Sequence, residues 1–289
     1  MNWNKESFAA FILTHNRADH VDTVSSLRKG GYTGPIHFVI DNQDESYEAY
    51  VENFGRDNVH VFDKIEWAKK TDKACNFGDY RSVVYARNAS FDIAKKLGYK
   101  YFLMLDDDYT VFQHVFRPNK TYHATTSHQL DAVFFAFLSF LKKTNARTVA
   151  LAQGGDFIGG GESHRASSIT LWRKAMNCFF CKTDNPIPFV GTVNEDVNAY
   201  VNDARTGAVY LTHNAFRVVQ RMTQTNSGGL TDIYKSQGTY FKSFYSVIFA
   251  PSCVKVSAMG WKEYRLHHRI SWVHAVPKIV HERHKKNVS

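Results

Sequence analysis

Four short apolar runs recur through the first hundred residues, separated by stretches with helical spacing, and this alternation constrains the fold more than any other feature of the chain. Phe8-Ala9-Ala10-Phe11-Ile12-Leu13, Ile36-His37-Phe38-Val39-Ile40, Val59-His60-Val61-Phe62 and Tyr101-Phe102-Leu103-Met104-Leu105 carry no regular polar face, as expected of strands covered on both sides. Between the first two, Val21, Val24 and Leu27 recur every three residues and Gly30-Gly31 supplies a stop. Before the fourth, Ala86, Ala89, Ile93 and Leu97 share a helical face, and Gly98 follows as a cap. Strand, helix, strand in this order requires crossover connections, and so a parallel sheet. The expected fold class is α/β, a mostly parallel central sheet flanked by helices.

The second half continues the theme. Leu130, Val133, Phe134, Phe137, Leu138 and Leu141 mark an amphipathic helix whose Phe-rich face is core. Thr148–Ala152 reads as a strand running into a glycine-rich segment, Gly154–Gly161, which lacks the Lys-Ser/Thr of a phosphate-binding P-loop. A further helical stripe of Val197, Tyr200, Val201 and Ala204 ends at Gly207, and a strand-like run Tyr210-Leu211-Thr212 ends at His213. Asn226–Leu230 offers a flexible loop, read either as a turn or as a lid.

Of the 289 residues, 44% are hydrophobic and 22% charged, which excludes a disordered chain and permits a substantial core. No apolar run approaches the ~18 residues a bilayer span needs. The opening Met1–Glu6 lacks a signal peptide's basic-then-apolar order, so a cytoplasmic location without membrane contact is expected. Four cysteines, Cys75, Cys178, Cys181 and Cys253, are too few for a disulfide framework and are expected reduced. Cys178 and Cys181 enclose two Phe, a buried strand rather than half of a zinc site.

Thirty-six Lys and Arg against 27 Asp and Glu leave a net charge of +9. Five of those nine charges lie between Trp261 and Ser289, where seven Lys/Arg meet two acids among five histidines and Trp261, Tyr264 and Trp272. Such a basic, aromatic stretch suits a polyanion such as nucleic acid, although its last eight residues also read as a solvated arm.

The sharpest chemical signal is Leu105-Asp106-Asp107-Asp108-Tyr109, three carboxylates directly after an apolar strand. Alternation along an extended segment lets Asp106 and Asp108 share one hard divalent cation while Asp107 points elsewhere. An all-oxygen site selects Mg²⁺ or Mn²⁺ with positions open for phosphate oxygens. A turn or helix-capping cluster of acids is the competing structural explanation. Asp106-x-Asp108-x-Thr110 also fits haloacid-dehalogenase-type phosphatases, whose first Asp is a nucleophile. That motif ordinarily follows the first strand, whereas here three strand-like runs precede it.

The surroundings favour a sugar-nucleotide site. Residues 8–110 resemble the nucleotide-binding half of GT-A fold glycosyltransferases: Phe11-Ile12-Leu13-Thr14-His15-Asn16-Arg17 is similar to their first strand and nucleotide loop, and Asp41 to the acid they place on base or ribose. Ala86-Arg87-Asn88 leading to Leu103–Asp108 resembles their Ala-Arg-Asn helix and Asp-x-Asp motif, and Gly191–Val197 their Glu-Asp motif at a helix start. The Ala-Arg-Asn to triple-Asp stretch and the basic, histidine-rich second half further resemble the TET/JBP-associated glycosyltransferases, many of them encoded by bacteriophages.

This resemblance implies one GT-A domain over 1–289, with a nucleotide-sugar half (8–110), an acceptor half (111–260) and a basic extension (261–289). It implies a nucleotide-sugar donor, a UDP-sugar first, bound by Thr14, Asn16, Arg17, Asp41, Arg87, Asp106 and Asp107, and Mn²⁺ or Mg²⁺ on Asp106 and Asp108. His213, then His274, are the candidates to complete the metal shell; Asp196, with Glu195, is the candidate base for the acceptor hydroxyl. The implied acceptor is 5-hydroxymethylpyrimidine in DNA, with Lys262, Arg265 and Arg269 on phosphates; a protein or polysaccharide acceptor is the alternative.

Overall fold

The computed structural model describes residues 8–74, 78, 80–119, 121–157, 169–171, 175, 178–221, 241–260 and 264–285. In chain order the first half runs β1 (Phe8–Leu13), α1 (Asp22–Lys29), β2 (Ile36–Asp41), α2 (Tyr47–Phe54), β3 (Val59–Phe62), α3 (Lys64–Lys70), α4 (Val84–Lys96) and β4 (Tyr101–Asp106). The second half runs β5 (Tyr109–Phe116), β6 (Tyr122–Thr126), α5 (Leu130–Thr144), β7 (Thr148–Ala152), β8 (Ile169–Thr170), β9 (Phe179–Lys182), α6 (Glu195–Ala204) and β10 (Tyr210–Gln220). Then come a helix α7 over 241–249, β11 (Val254–Met259), β12 (Arg265–Ile270) and the short α8 (Trp272–Ala275).

All four apolar runs are strands, parallel in the order β3-β2-β1-β4. Leu13 lies level with Val39 on one side and Asp106 on the other, so the carboxyl ends of β1, β2 and β4 share one edge. Strand alternation divides the core in two. Ala9, Phe11, Leu13, Phe102 and Met104 pack with α4 and α6, while Phe8, Ala10, Ile12, Leu103 and Leu105 pack with α1 and α5. The helix stops behave as read: after α1, Gly31 turns with φ +84, where a Cβ would sit 2.4 Å from the His128 carbonyl oxygen.

Beyond β4 the sheet becomes mixed, continuing β4-β9-β7-β10-β5-β6, with β8 on β10. The Cys178–Cys181 run is buried as expected, and its strand β9 inserts antiparallel between β4 and β7, pairing Met104 with Phe179 and Val149 with Phe180. Phe180 stacks on Phe8 (5.9 Å) and Phe137 (5.0 Å) and meets Phe134 edge-on (5.6 Å). Burying each such ring stabilises the fold by roughly 1.5–3 kcal/mol.

The basic C-terminal stretch is no extended arm. β11 and β12 form an antiparallel hairpin whose base, Val254 and Ile270, packs on the α4/α6 core. Trp272 then meets Tyr200 of α6 edge-on at 5.5 Å. Further along, His281 N donates to the Gly207 carbonyl (3.0 Å), and His284, 3% exposed, lies 3.1 Å from the Asn145 carbonyl. Residues 282–285 of the expected solvated arm are therefore docked, because a buried imidazole anchors them. Among the described residues no helix is long and apolar enough to cross a membrane.

Candidate active site

The carboxyl edge of a parallel sheet is where α/β folds bind ligands, and the motif residues gather there. Asp106, closing β4, lies on the same sheet face as Met104 and so meets α4. Arg87 of α4 donates from Nη2 to Asp106 Oδ1 (3.1 Å) and from Nε to Glu195 Oε1 (2.9 Å) at the first turn of α6. One guanidinium thus joins the Ala-Arg-Asn, triple-Asp and Glu-Asp motifs. Arg87 is 1% exposed, lies 5.6 and 5.7 Å from the Phe179 and Phe189 rings, and leaves its buried Nη1 without a hydrogen-bond partner. The neighbouring Asn88 donates to the Phe189 carbonyl (3.0 Å), tying the segment before α6 to α4.

Asp106 and Asp107 part company at the end of β4, where Asp107 and Asp108 form a turn. Asp107 turns the other way, accepting from Thr14 Oγ1 (2.8 Å) and Arg17 Nη1 (3.2 Å) in the loop after β1. Burial, reinforced by Asp108 and Glu195 and opposed by Arg87, pushes Asp106 up to about 7. Burial and the neighbouring Asp107 push Asp108 to about 6. Carboxylate oxygens of this kind are the donors that a hard divalent cation takes. Among the described residues no three His, Cys, Asp or Glu side chains converge as a ready-made metal cage.

On the nucleotide side, Asp41 at the end of β2 accepts from His15 Nδ1 and Lys64 Nζ, both at 2.8 Å. Burial works to raise Asp41, and these two bonds outweigh it and hold the carboxyl below its usual range. Asn16 sits at φ +52, donating through its backbone N to Asp44 (2.9 Å), while its side-chain oxygen accepts from Glu45 N (2.8 Å). Tyr50 of α2 binds Thr14 Oγ1 (2.8 Å) and accepts from Arg17 N (2.9 Å), and burial pushes its hydroxyl up to about 12.

At the other end of the Arg87 bridge, Asn194 precedes α6 with φ +56 and is 4% exposed. Its amide donates to the Lys242 carbonyl (2.7 Å) and approaches Ser246 Oγ (3.3 Å) and His268 Nδ1 (3.2 Å). Asp196, also buried, accepts from Val197 N (2.8 Å), which the acid-favouring first turn of a helix provides.

His213 departs from expectation. It packs 5.2 Å from the Phe137 ring and 6.2 Å from Phe140, on the α5 face of the sheet, whereas Asp106 faces α4. The sheet lies between them, and His213 is a half-buried histidine whose burial lowers its basicity. His274 approaches Ser271 Oγ (2.8 Å) in α8. The tail histidine brought to the Glu-Asp motif is His268, which no periodicity marks because it depends on the hairpin register. Lys64, Tyr50 and Asn194 were likewise missed; Lys64, two residues past β3, had a signal in its position at a strand's carboxyl end. Lys262, Cys75, the second half of the glycine-rich segment (158–161) and Asn226–Leu230 lie outside the described residues. Arg265 and Arg269 are exposed on β12.

An α/β sheet whose carboxyl edge gathers acids and arginines defines a ligand-binding enzyme fold, and residues 8–229 match the family described as TET-Associated Glycosyltransferase. The chain belongs to this family and is a glycosyltransferase. No curated protein matches it in sequence. In shape it is similar to glucosyl-3-phosphoglycerate synthase from Mycobacterium tuberculosis in complex with Mn²⁺ and UDP-glucose (TM-score 0.46, 10% identity, covering 93% of this chain and 92% of that one). It is also similar to GalNAc-T7 with UDP, GalNAc and Mn²⁺ (TM-score 0.45, 12% identity, 74% and 43%) and to S. aureus TarS 1–349 (TM-score 0.42, 13% identity, 84% and 66%).

Proposed function

We propose that this glycosyltransferase moves a sugar from a nucleotide-sugar, a UDP-sugar first, to the hydroxymethyl group of a 5-hydroxymethylpyrimidine in DNA, as part of bacteriophage DNA modification in the host cytoplasm. The observation that carries the reading is the Arg87 bridge, which ties the donor-side Asp106 to the acceptor-side Glu195. Thr14, Asn16, Arg17 and Asp41 line the nucleotide side, and Asp106 and Asp108 would hold Mn²⁺ or Mg²⁺. Such an ion, when bound, neutralises the diphosphate as it leaves.

Asp196 takes the acceptor proton in an inverting transfer. The acceptor oxygen bonds to the anomeric carbon, the bond from that carbon to the diphosphate oxygen breaks, and the nucleoside diphosphate leaves. Glu195 accepts from Arg87 Nε and ties the first turn of α6 to α4. Arg87 is too deeply buried to reach the diphosphate directly and acts by holding the two carboxylates. Lys262, Arg265 and Arg269 contact DNA phosphates. The family's description and the net charge of +9 support a DNA acceptor over a protein or polysaccharide.

The test is incubation with hydroxymethylated and unmodified DNA, Mn²⁺ and a panel of nucleotide sugars, read by nucleoside mass. A hexose or pentose increment on the hydroxymethylated nucleoside alone is expected. Transfer to protein or glycan with none to DNA would overturn the acceptor assignment.

A further inference from the structure

We infer that the β11–β12 hairpin is a β-ribbon that docks the phosphodiester backbone of duplex DNA through the face that carries Lys255, Arg265 and Arg269. The inference rests on the DNA-acceptor reading and deepens it by naming the element that binds, with Lys255 as a phosphate ligand from outside the basic C-terminal stretch.

The cross-strand pairs are Lys255 with Arg269, Ser257 with His267 and Met259 with Arg265. Residues directly opposite share a face, so Lys255, Arg269, His267 and Arg265 line one side of the ribbon. Lys255, Arg265 and Arg269 are exposed, and among the described residues none has an acidic partner. Alternate residues on a strand stand ~6.8 Å apart.

The other face carries Val256 with His268 and Ala258 with Leu266. Its base is fixed to the protein through Ile270, through Ser243 Oγ on the Leu266 carbonyl (3.4 Å) and through His268 on Asn194 (3.2 Å). Asn194 immediately precedes Glu195 and Asp196, so the inner face of the ribbon is joined to the helix that carries those acids and the basic outer face is turned to solvent. At the ribbon's tip Tyr264 is 77% exposed, Met259 49% and Leu266 43%, apolar surface suited to base edges. A two-stranded ribbon is one of the few elements that the major groove admits.

The experiment is a salt titration of binding to a short unmodified duplex, read by fluorescence anisotropy, which needs no chemistry at the site. The native chain is expected to lose affinity steeply with salt. The triple Lys255→Gln, Arg265→Gln, Arg269→Gln variant should lower the slope of log K against log salt by about 0.9 for each phosphate no longer neutralised, close to three in all. Arg269→Gln alone, with its melting temperature checked against the native chain, should lower it by about one and guards against misfolding of the triple variant. Lys96→Gln, at the other end of α4, removes a charge away from the ribbon and should leave the slope unchanged. An unchanged slope in the ribbon variants, or equal losses from Lys96→Gln, would overturn the ribbon while leaving the acceptor assignment to the nucleoside-mass assay. So would tighter ribbon-dependent binding to phosphatidylserine vesicles than to duplex.

Discussion

Arg87 Nε stands 2.9 Å from Glu195 Oε1 although 108 positions separate them in the chain, and the same guanidinium holds Asp106 at 3.1 Å. A single buried cation is therefore the joint between the end of β4 and the first turn of α6. Removing one partner of a buried ionic group costs far more than the intact group contributes, because the remaining charge is stranded.

Replacing Arg87 by Met leaves two buried carboxylates facing each other. The expected loss is roughly 3–5 kcal/mol of stability, with transfer abolished. Urea denaturation checks the first and the nucleoside-mass assay the second; a variant as stable as the native chain would refute the bridge.

Asp108→Asn removes one of the two acids assigned to the cation. It should abolish transfer and Mn²⁺-dependent donor binding while leaving duplex affinity nearly intact, since the ribbon is untouched. Full transfer activity in this variant would refute the metal assignment.

Metal and proton compete for the same oxygens. With Asp106 near 7 and Asp108 near 6, apparent Mn²⁺ affinity should rise as pH increases through 6 and 7 and level off above. The sign for folding follows from both values lying above the ordinary 3.8: ionising these groups costs the folded state, so they destabilise the metal-free protein increasingly between that value and about pH 7. Mn²⁺ should consequently raise the melting temperature more at pH 8 than at pH 5.5, and an equal rise at both would contradict the raised values.

Asp41 has the opposite sign. Its carboxyl is held below the usual range by His15 and Lys64 against the pull of burial, so its contribution is present above that range and disappears as pH falls through it. The stability gap between the native chain and Asp41→Asn should be largest near neutral pH and shrink towards pH 3. Calorimetry at a series of pH values measures it.

His213→Leu provides a negative test. Since His213 packs on Phe137 and Phe140 behind the sheet, the Mn²⁺ concentration needed for half-maximal activity should not change. A severalfold increase would restore a role at the metal.

The parallel half of the fold was legible because β1, β2 and β4 are buried and apolar almost throughout, and because α1 and α4 are each followed by a glycine in the left-handed region, Gly31 and Gly98. The division of Asp106 and Asp107 was legible for the same reason: alternation along a strand is local. What depends on distant pairing was not. Nothing near Phe179 says that its strand runs antiparallel between β4 and β7, and nothing near His268 says that hairpin register will bring it to Asn194. His213 misled because a histidine at the end of a strand reads alike on either face, and only the packing of α5 decides which one. Arg87 was found for its motif but read as reaching the donor, since sequence carries no measure of depth.

The insertion of β9 has a consequence for how the molecule comes into being. Phe102, Leu103 and Met104 are fully buried, yet the strand that pairs with their edge begins at Phe179. As the chain emerges from the ribosome, residues 8–106 can assemble their parallel strands but hold an open, wholly apolar edge until more than seventy further residues have been made. Residues 8–106 are therefore not a module that could be cut out and expressed alone: truncation after β4 should give an aggregating fragment, and the slow event in refolding the whole chain should be the arrival of Phe180 among Phe8, Phe134 and Phe137.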